Sequence, residues 1–362
     1  RLSCPRLLDG CTSRAVQMLT SQLLRRSKSL GTLCKILLAH FQVMHVFTQL
    51  PSVQWPPAFA KFLEYFSIFS FDFFSVSPLG CTLGFDVTFL HELVGLMLLP
   101  LFLALLVLLL ALLAARFTLS KDERGLCAVA ARPETVTLLL WLMLLLYPSL
   151  SIASAKPFDC VDVNGHRVLR ADPSVSCDGD RWELLAGVGA LGIVVYSLGF
   201  PLLCFLVTRA GRTTAEPAGA MVDDDKGTRR AARAKLLSRS YSAEFWYWES
   251  LEVLRKYLLT SVVSVVEPNT ELQMYFGAIV SIYSLVMLVS YNPYVDKLCG
   301  RVAKFCLGQL VFTYISAMLF FDHGVATPPW RSGAERQERL SIILICVSLS
   351  FVVLLGLGLG GA

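Results

Sequence analysis

The chain has 362 residues, 55% of them hydrophobic and 16% charged, with a mean hydropathy of +0.61. That mix excludes an ordinary soluble domain, and apolar stretches recur too often to leave room for a sizeable one. The net charge of +5 carries no implication of nucleic acid, because in a membrane protein the placement of Lys and Arg between loops matters more than their sum.

Residues 1–30 are basic, lack an apolar signal core and begin at Arg1, so they read as a cytoplasmic segment of a piece cut from a longer chain. Residues 31–362 read as one transmembrane domain. Its first span, Leu33 to Leu50, carries Lys35, His40, Gln42 and His45 and is expected to be sheltered by its neighbours. His40 and His45 sit about 140° apart around a helix, which makes a metal pair improbable. Residues 58–74 are apolar but contain Lys61, Glu64 and Asp72 and follow Trp55-Pro56-Pro57, so they are predicted to form an interfacial or re-entrant helix.

Further spans follow at Leu90 to Phe117, Thr135 to Ile152, Leu184 to Val207, Trp246 to Val266, Leu272 to Tyr291, Val302 to Phe321 and Leu340 to Gly360. The fold class is therefore an all-α polytopic transmembrane helical bundle of about eight spans plus the one interfacial or re-entrant helix. With the N-terminus cytoplasmic, 22 Lys and Arg fall on inner regions and 8 on outer ones, a bias that fits the positive-inside rule. Both ends of the piece are then cytoplasmic, the loop 153–183 is outside, and the linker 208–245 is inside. Cys160 and Cys177 bracket the polar, turn-rich part of that outer loop and are predicted to pair, implying an oxidising compartment; the cysteines in apolar runs read as buried thiols.

The inner linker holds Arg229, Arg230, Arg233 and Lys235, a basic stretch placed to meet anionic lipids of the inner leaflet or simply to fix orientation. After it, FWYWESLEVLRKYLL opens a span with Glu249, Glu252, Arg255 and Lys256. On a helix Glu252 faces Arg255 at i+3 and Lys256 at i+4, which neutralises charge locally. Trp246, Tyr247 and Trp248 would form an interfacial belt, with the long basic side chains snorkelling.

EFWYWESLEVLRKYLL, Gln273, YNPYVDK, and the earlier LCKILLAHFQVMHVFTQLPSVQWPPAF with SPLGC together resemble the multi-pass C-terminal region of cysteine-rich surface proteins of protists and algae. In those proteins ephrin-receptor-type cysteine-rich repeats precede a membrane domain similar to transient-receptor-potential-like and polycystin-like channels. The resemblance runs from about Cys34 to Lys304. It implies a plasma or ciliary membrane, cations as ligands, and a homo-oligomer as one arrangement. Neither a returning helix from a cysteine-rich ectodomain nor a recognisable ion filter is present in the sequence.

Ionisable and amide groups at membrane depth mark a pathway or gate: Lys35, Glu92, Glu249, Glu252, Arg255, Lys256, Gln273 and Gln309 are the candidates. For Gln273 and Gln309 an interhelical hydrogen bond is the plainer reading. Asp322, His323, Glu335 and Glu338 stand among arginines in a solvated loop, and Gly356 with Gly360 makes a weak helix-approach motif. No phosphate loop, zinc-protease helix or nucleophile elbow occurs, so the chain is not read as an enzyme, and no cofactor is expected. Function is expected to be cation conduction or sensing. The alternatives are a non-conducting anchor or receptor for an external cysteine-rich region, and a transporter whose helices break near Pro100, Pro148 and Pro201.

Overall fold

A computed structural model describes residues 29–50, 52–69, 88–118, 125–130, 132–213, 234–266, 270–321 and 338–350. The helices are α1 (Ser29–Gln49), α2 (Pro57–Glu64), α3 (Phe89–Thr118), α4 (Leu126–Ala130), α5 (Pro133–Ala155) and α6 (Asp180–Arg212). After these come α7 (residues 234–238), α8 (Trp248–Tyr257, continued by Leu258–Val262 and Val263–Val265), α9 (Glu271–Tyr291), α10 (Lys297–Leu319) and α11 (residues 338–350). Six of these, α1, α3, α5, α6, α9 and α10, are long and apolar enough to cross a membrane. The predicted span at Trp246 to Val266 forms a helix of nearly crossing length, but its polar first turns keep it out of that set. The span predicted at Leu340 to Gly360 is described only through residue 350.

Contacts between helices define two ends of the bundle. At one end the start of α1 meets the start of α10, where Cys299 Sγ donates to Ser29 O at 3.7 Å. Halfway along, His40 faces Gln309. At the far end Phe47 packs on Tyr314 at 4.6 Å, and Val53 pairs with Phe321 in a β-bridge. Helix α2 packs beside that far end, burying Phe59 and Leu63 while Lys61 and Glu64 stay exposed. It is too short to cross; residues 70–74 of the predicted interfacial segment lie outside the described residues.

The all-α expectation needs one amendment. The loop between α5 and α6 folds into an antiparallel sheet of β1 (Cys160–Val163), β2 (His166–Leu169) and β3 (Asp172–Ser176), in the order β1-β2-β3. Val163 pairs with His166 across Asn164 and Gly165, whose φ angles of 55° and 81° suit the left-handed two-residue hairpin turn. Asp162 Oδ1 accepts from Gly165 N at 2.9 Å. The expected disulfide Cys160–Cys177 closes this sheet, and Cys177 packs with Leu169, Leu185 and Leu150 in a core shared by α3, α5 and α6.

A second, larger core joins α1, α2, α8, α9, α10 and α11 through Met44, Phe47, Leu259, Met274, Tyr314 and Leu344. Helices α9 and α10 approach so closely that a Cβ at Gly277 would fall inside the Tyr314 ring. Prolines do not break the spans: α3 continues through Pro100 and α5 through Pro148. Pro201 follows a π-turn, Ile193–Leu198, because it has no N–H to offer Ser197 O four residues back. The buried Tyr147 hydroxyl donates to that freed carbonyl at 2.7 Å instead.

Candidate functional site

The first turns of α8 place Glu249 and Lys256, seven residues apart, on the buried face with Trp248 and Val253. Opposite them α1 contributes Lys35, one turn above His40. Lys35 Nζ forms an ion pair with Glu249, whose carboxylate also accepts from the Tyr241 hydroxyl at 3.0 Å. Glu249 is 2% exposed, so this pairing satisfies a carboxylate that the surroundings could not hold alone. The predicted i+3 pair is present: Arg255 donates to Glu252, which also accepts from Trp248 Nε1 at 3.2 Å.

Tyr241 and Tyr294 close the site from below. Ser242 N donates to Pro293 O at 2.8 Å and Val295 N to Ser240 O at 3.1 Å, a short ladder that brings the two rings to 5.1 Å. YNPYVDK is the turn that makes this possible. Asn292 ends α9 in the left-handed conformation (φ 44°), Pro293 blocks further helix, and Asp296 caps α10 by accepting from Leu298 N at 2.8 Å. Burial first, then the Glu249 carboxylate, pushes the Tyr241 phenol well above its ordinary value, so it stays a proton donor. Burial and the Glu252 charge do the same for Tyr294. Between these groups lies a cavity of about 30 Å³ lined by Lys35, Glu249, Glu252, Arg255, Lys256 and Tyr294 among others.

Several expectations change. Trp248 is not part of an interfacial belt; it is 4% exposed and hydrogen-bonded within the core, while Trp246 and Tyr247 remain half-buried. Arg255 and Lys256 do not snorkel outward but point into the bundle, because α1 and α10 cover that face of α8. Lys256 forms no ion pair with Glu252, which Arg255 takes. Gln309 joins the edge of the site through His40 Nε2 at 3.1 Å. Gln273 does not: it lies at the other end of α9, donating to Val263 O at 2.8 Å.

Glu92, in the first turn of α3, stands beside the core of α3, α5 and α6, away from the cluster. His45 contacts Thr48 and Gln49, separate from His40. Lys235 is exposed on α7, as a residue meeting lipid headgroups would be; Arg229, Arg230 and Arg233 lie outside the described residues, as do Asp322, His323, Glu335 and residues 354–362. Glu338 is exposed at the start of α11. Sequence reasoning missed Tyr241 and Tyr294. The signal that could have found them is the pair of aromatics beside an Asn-Pro turn and a Trp-rich helix start.

No protein-family model matches the chain, and no solved structure matches it. The chain is similar to cysteine repeat modular protein A of Toxoplasma gondii, 35% identical over 103 residues. That alignment covers 27% of this chain and 3% of the Toxoplasma protein, so the likeness concerns a small part of a far longer polypeptide.

Proposed function

We propose that the chain is the membrane-spanning module of a large cysteine-repeat surface protein, acting as its anchor or receptor and tying an external region to the cytoplasm. The observation that carries this reading is the closure of the charge cluster. Lys35 is engaged by Glu249, Glu252 by Arg255 and His40 by Gln309, and they enclose a cavity no larger than one or two waters. The Lys35–Glu249 pair and the His40–Gln309 hydrogen bond lock helices from distant parts of the sequence together, with Lys256 the one cation of the cluster outside the pairing. The similarity to a cysteine repeat modular protein supports the cysteine-repeat part of the reading.

In the proposed topology eight helices cross, α8 and α11 included, with α2 lying at the outer interface and the disulfide-closed sheet outside. The 208–245 linker is then cytoplasmic, with its basic residues against anionic lipid. Residence in a plasma or ciliary membrane belongs to the same proposal. A second reading, transient-receptor-potential-like cation conduction, is favoured by the π-turn Leu258–Val262, which interrupts α8 directly above the charges. Such a turn is a place where a helix can change its register.

Cation flux into liposomes carrying the purified chain distinguishes the two. The anchor reading expects no flux under voltage or stretch. A cation current that Glu249→Gln alters, with protein still folded, overturns it in favour of the channel. Tags in the 153–183 loop and the 208–245 linker should label from opposite sides of the membrane.

A further inference from the structure

In the charge cluster, cations outnumber carboxylates. Lys35, Arg255 and Lys256 stand against Glu249 and Glu252, and both carboxylates are already spent, one on Lys35 and the other on Arg255. Lys256 is left over. Its side chain is 4% exposed and lines the cavity, and among the described residues no carboxylate lies within ion-pair distance of its ammonium. Arg255 contributes a further unspent donor. Its Nη2 serves Glu252, but its buried Nε–H has no acceptor among the described residues.

An ammonium enclosed in a membrane-embedded bundle keeps its charge only when a counter-charge or water meets it; otherwise it gives up its proton. Water would satisfy the hydrogen bonds without cancelling the charge. Two properties of the cavity set what could cancel it. Its volume, about 30 Å³, admits a body the size of one or two waters, which suits a monatomic ion. Its excess is a single positive charge, which asks for a monoanion. The carboxylates of Glu249 and Glu252 also line the cavity but are paired with Lys35 and Arg255, and the walls supplied by Ile36, Ala39, Ala303 and Leu310 are apolar, so the attraction to the remaining ammonium is little screened.

We propose that this cavity is a binding site for a small monovalent anion of the halide class, held by Lys256 Nζ and Arg255 Nε–H. The bound anion completes the electroneutrality of the cluster and thereby stabilises the contact of α8 with α1 and α10. The proposal stands whether the module anchors or conducts, since it concerns a structural ion inside the bundle.

Thermal unfolding of the full chain in nanodiscs tests it, with sodium chloride exchanged for sodium gluconate at constant ionic strength. A ligand that binds only the folded state raises the melting temperature as its concentration passes the dissociation constant. Wild type should melt higher in chloride and in bromide than in gluconate, with a saturating dependence. Lys256→Met, which removes the charge and keeps an unbranched side chain, should melt at the same temperature in all three salts. Equal melting of the wild type in halide and gluconate overturns the proposal, as does an undiminished halide effect in Lys256→Met. If that variant does not fold, chloride-35 NMR on the wild type decides. Line broadening that bromide displaces and gluconate leaves unchanged supports the site, and absence of such broadening overturns it.

Discussion

Helices α1 and α3 both qualify as spans, yet they are buried in opposite measure to their oiliness. The most apolar window of α3 is 17% buried, and that of the less apolar α1 is 61% buried. In water the oilier helix would go inside. Here Leu98, Leu101, Phe102, Leu105 and Leu109 of α3 face outward, while Lys35, His40 and Gln42 of α1 are covered. That inversion suits a bilayer, where leucine gains nothing by leaving lipid and a polar side chain gains a partner by leaving it. The two cores differ accordingly. Around α1, α8 and α10, charges hold helices together. Around α3, α5 and α6 the polar links are hydroxyls donating to backbone carbonyls, such as Tyr196 to Met97 O at 2.6 Å, with a disulfide-closed sheet at one end.

Breaking the charged core should have the largest effect. Glu249→Leu leaves Lys35 buried without its carboxylate and should cost about 3–5 kcal/mol, read as a lower melting temperature or loss of monodisperse protein. Adding Lys35→Met should restore most of that loss, because two apolar side chains replace a pair whose desolvation is itself costly. A double variant no better than Glu249→Leu alone would mean that Lys35 and Glu249 are not coupled.

The core of α3, α5 and α6 should be most sensitive at its covalent clasp. Cys160→Ser removes a bridge with a sequence separation of 17, for which loop closure alone is worth about 3 kcal/mol. Hydrogen exchange should rise at β1–β3 and the start of α6, with no change at Lys35 or Glu249. Equal loss of protection in both cores would show them to be a single cooperative unit. A smaller effect should come from the seam of α9 and α10. Gly277→Val drives a side chain into Tyr314, which Phe47 holds in place, and overpacking of this kind costs about 1–3 kcal/mol. Tyr314→Leu, added to Gly277→Val, should recover part of it, whereas unchanged melting of Gly277→Val would mean the helices can separate freely.

What could be read in advance was local. Runs of apolar residues located the spans, and the i+3 spacing gave the Glu252–Arg255 pair, since both follow from the geometry of a single helix. The Cys160–Cys177 pair was legible because its loop is self-contained. Lys35 with Glu249 was not, since those residues are 214 apart in sequence and nothing in either helix specifies the other. The sheet was signalled only by Asn164-Gly165 between Val163 and His166, a weak cue because its strands are four or five residues long. Trp248 misled for a physical reason: interfacial belts and buried indoles share the same residue type, and only the neighbouring Glu252 acceptor separates them.

The smallest expected effect falls on Gln273, and it separates a structural amide from a conducting one. Helix α8 ends at Val265, so the carbonyls of its last turn lack partners within their own helix. Gln273, from the following helix, caps one of them by donating to Val263 O, and it is itself buried at 3% exposure. Gln273→Leu keeps the bulk and removes the donor, leaving that carbonyl enclosed; the cost should be about 1 kcal/mol, a small drop in melting temperature. A role in ion passage would leave stability nearly untouched and change flux instead. Because Gln273 sits at the end of the bundle away from Glu249, a flux change in Gln273→Leu would require a polar route running the full length of α9, which contradicts the closed arrangement on which the anchor reading rests.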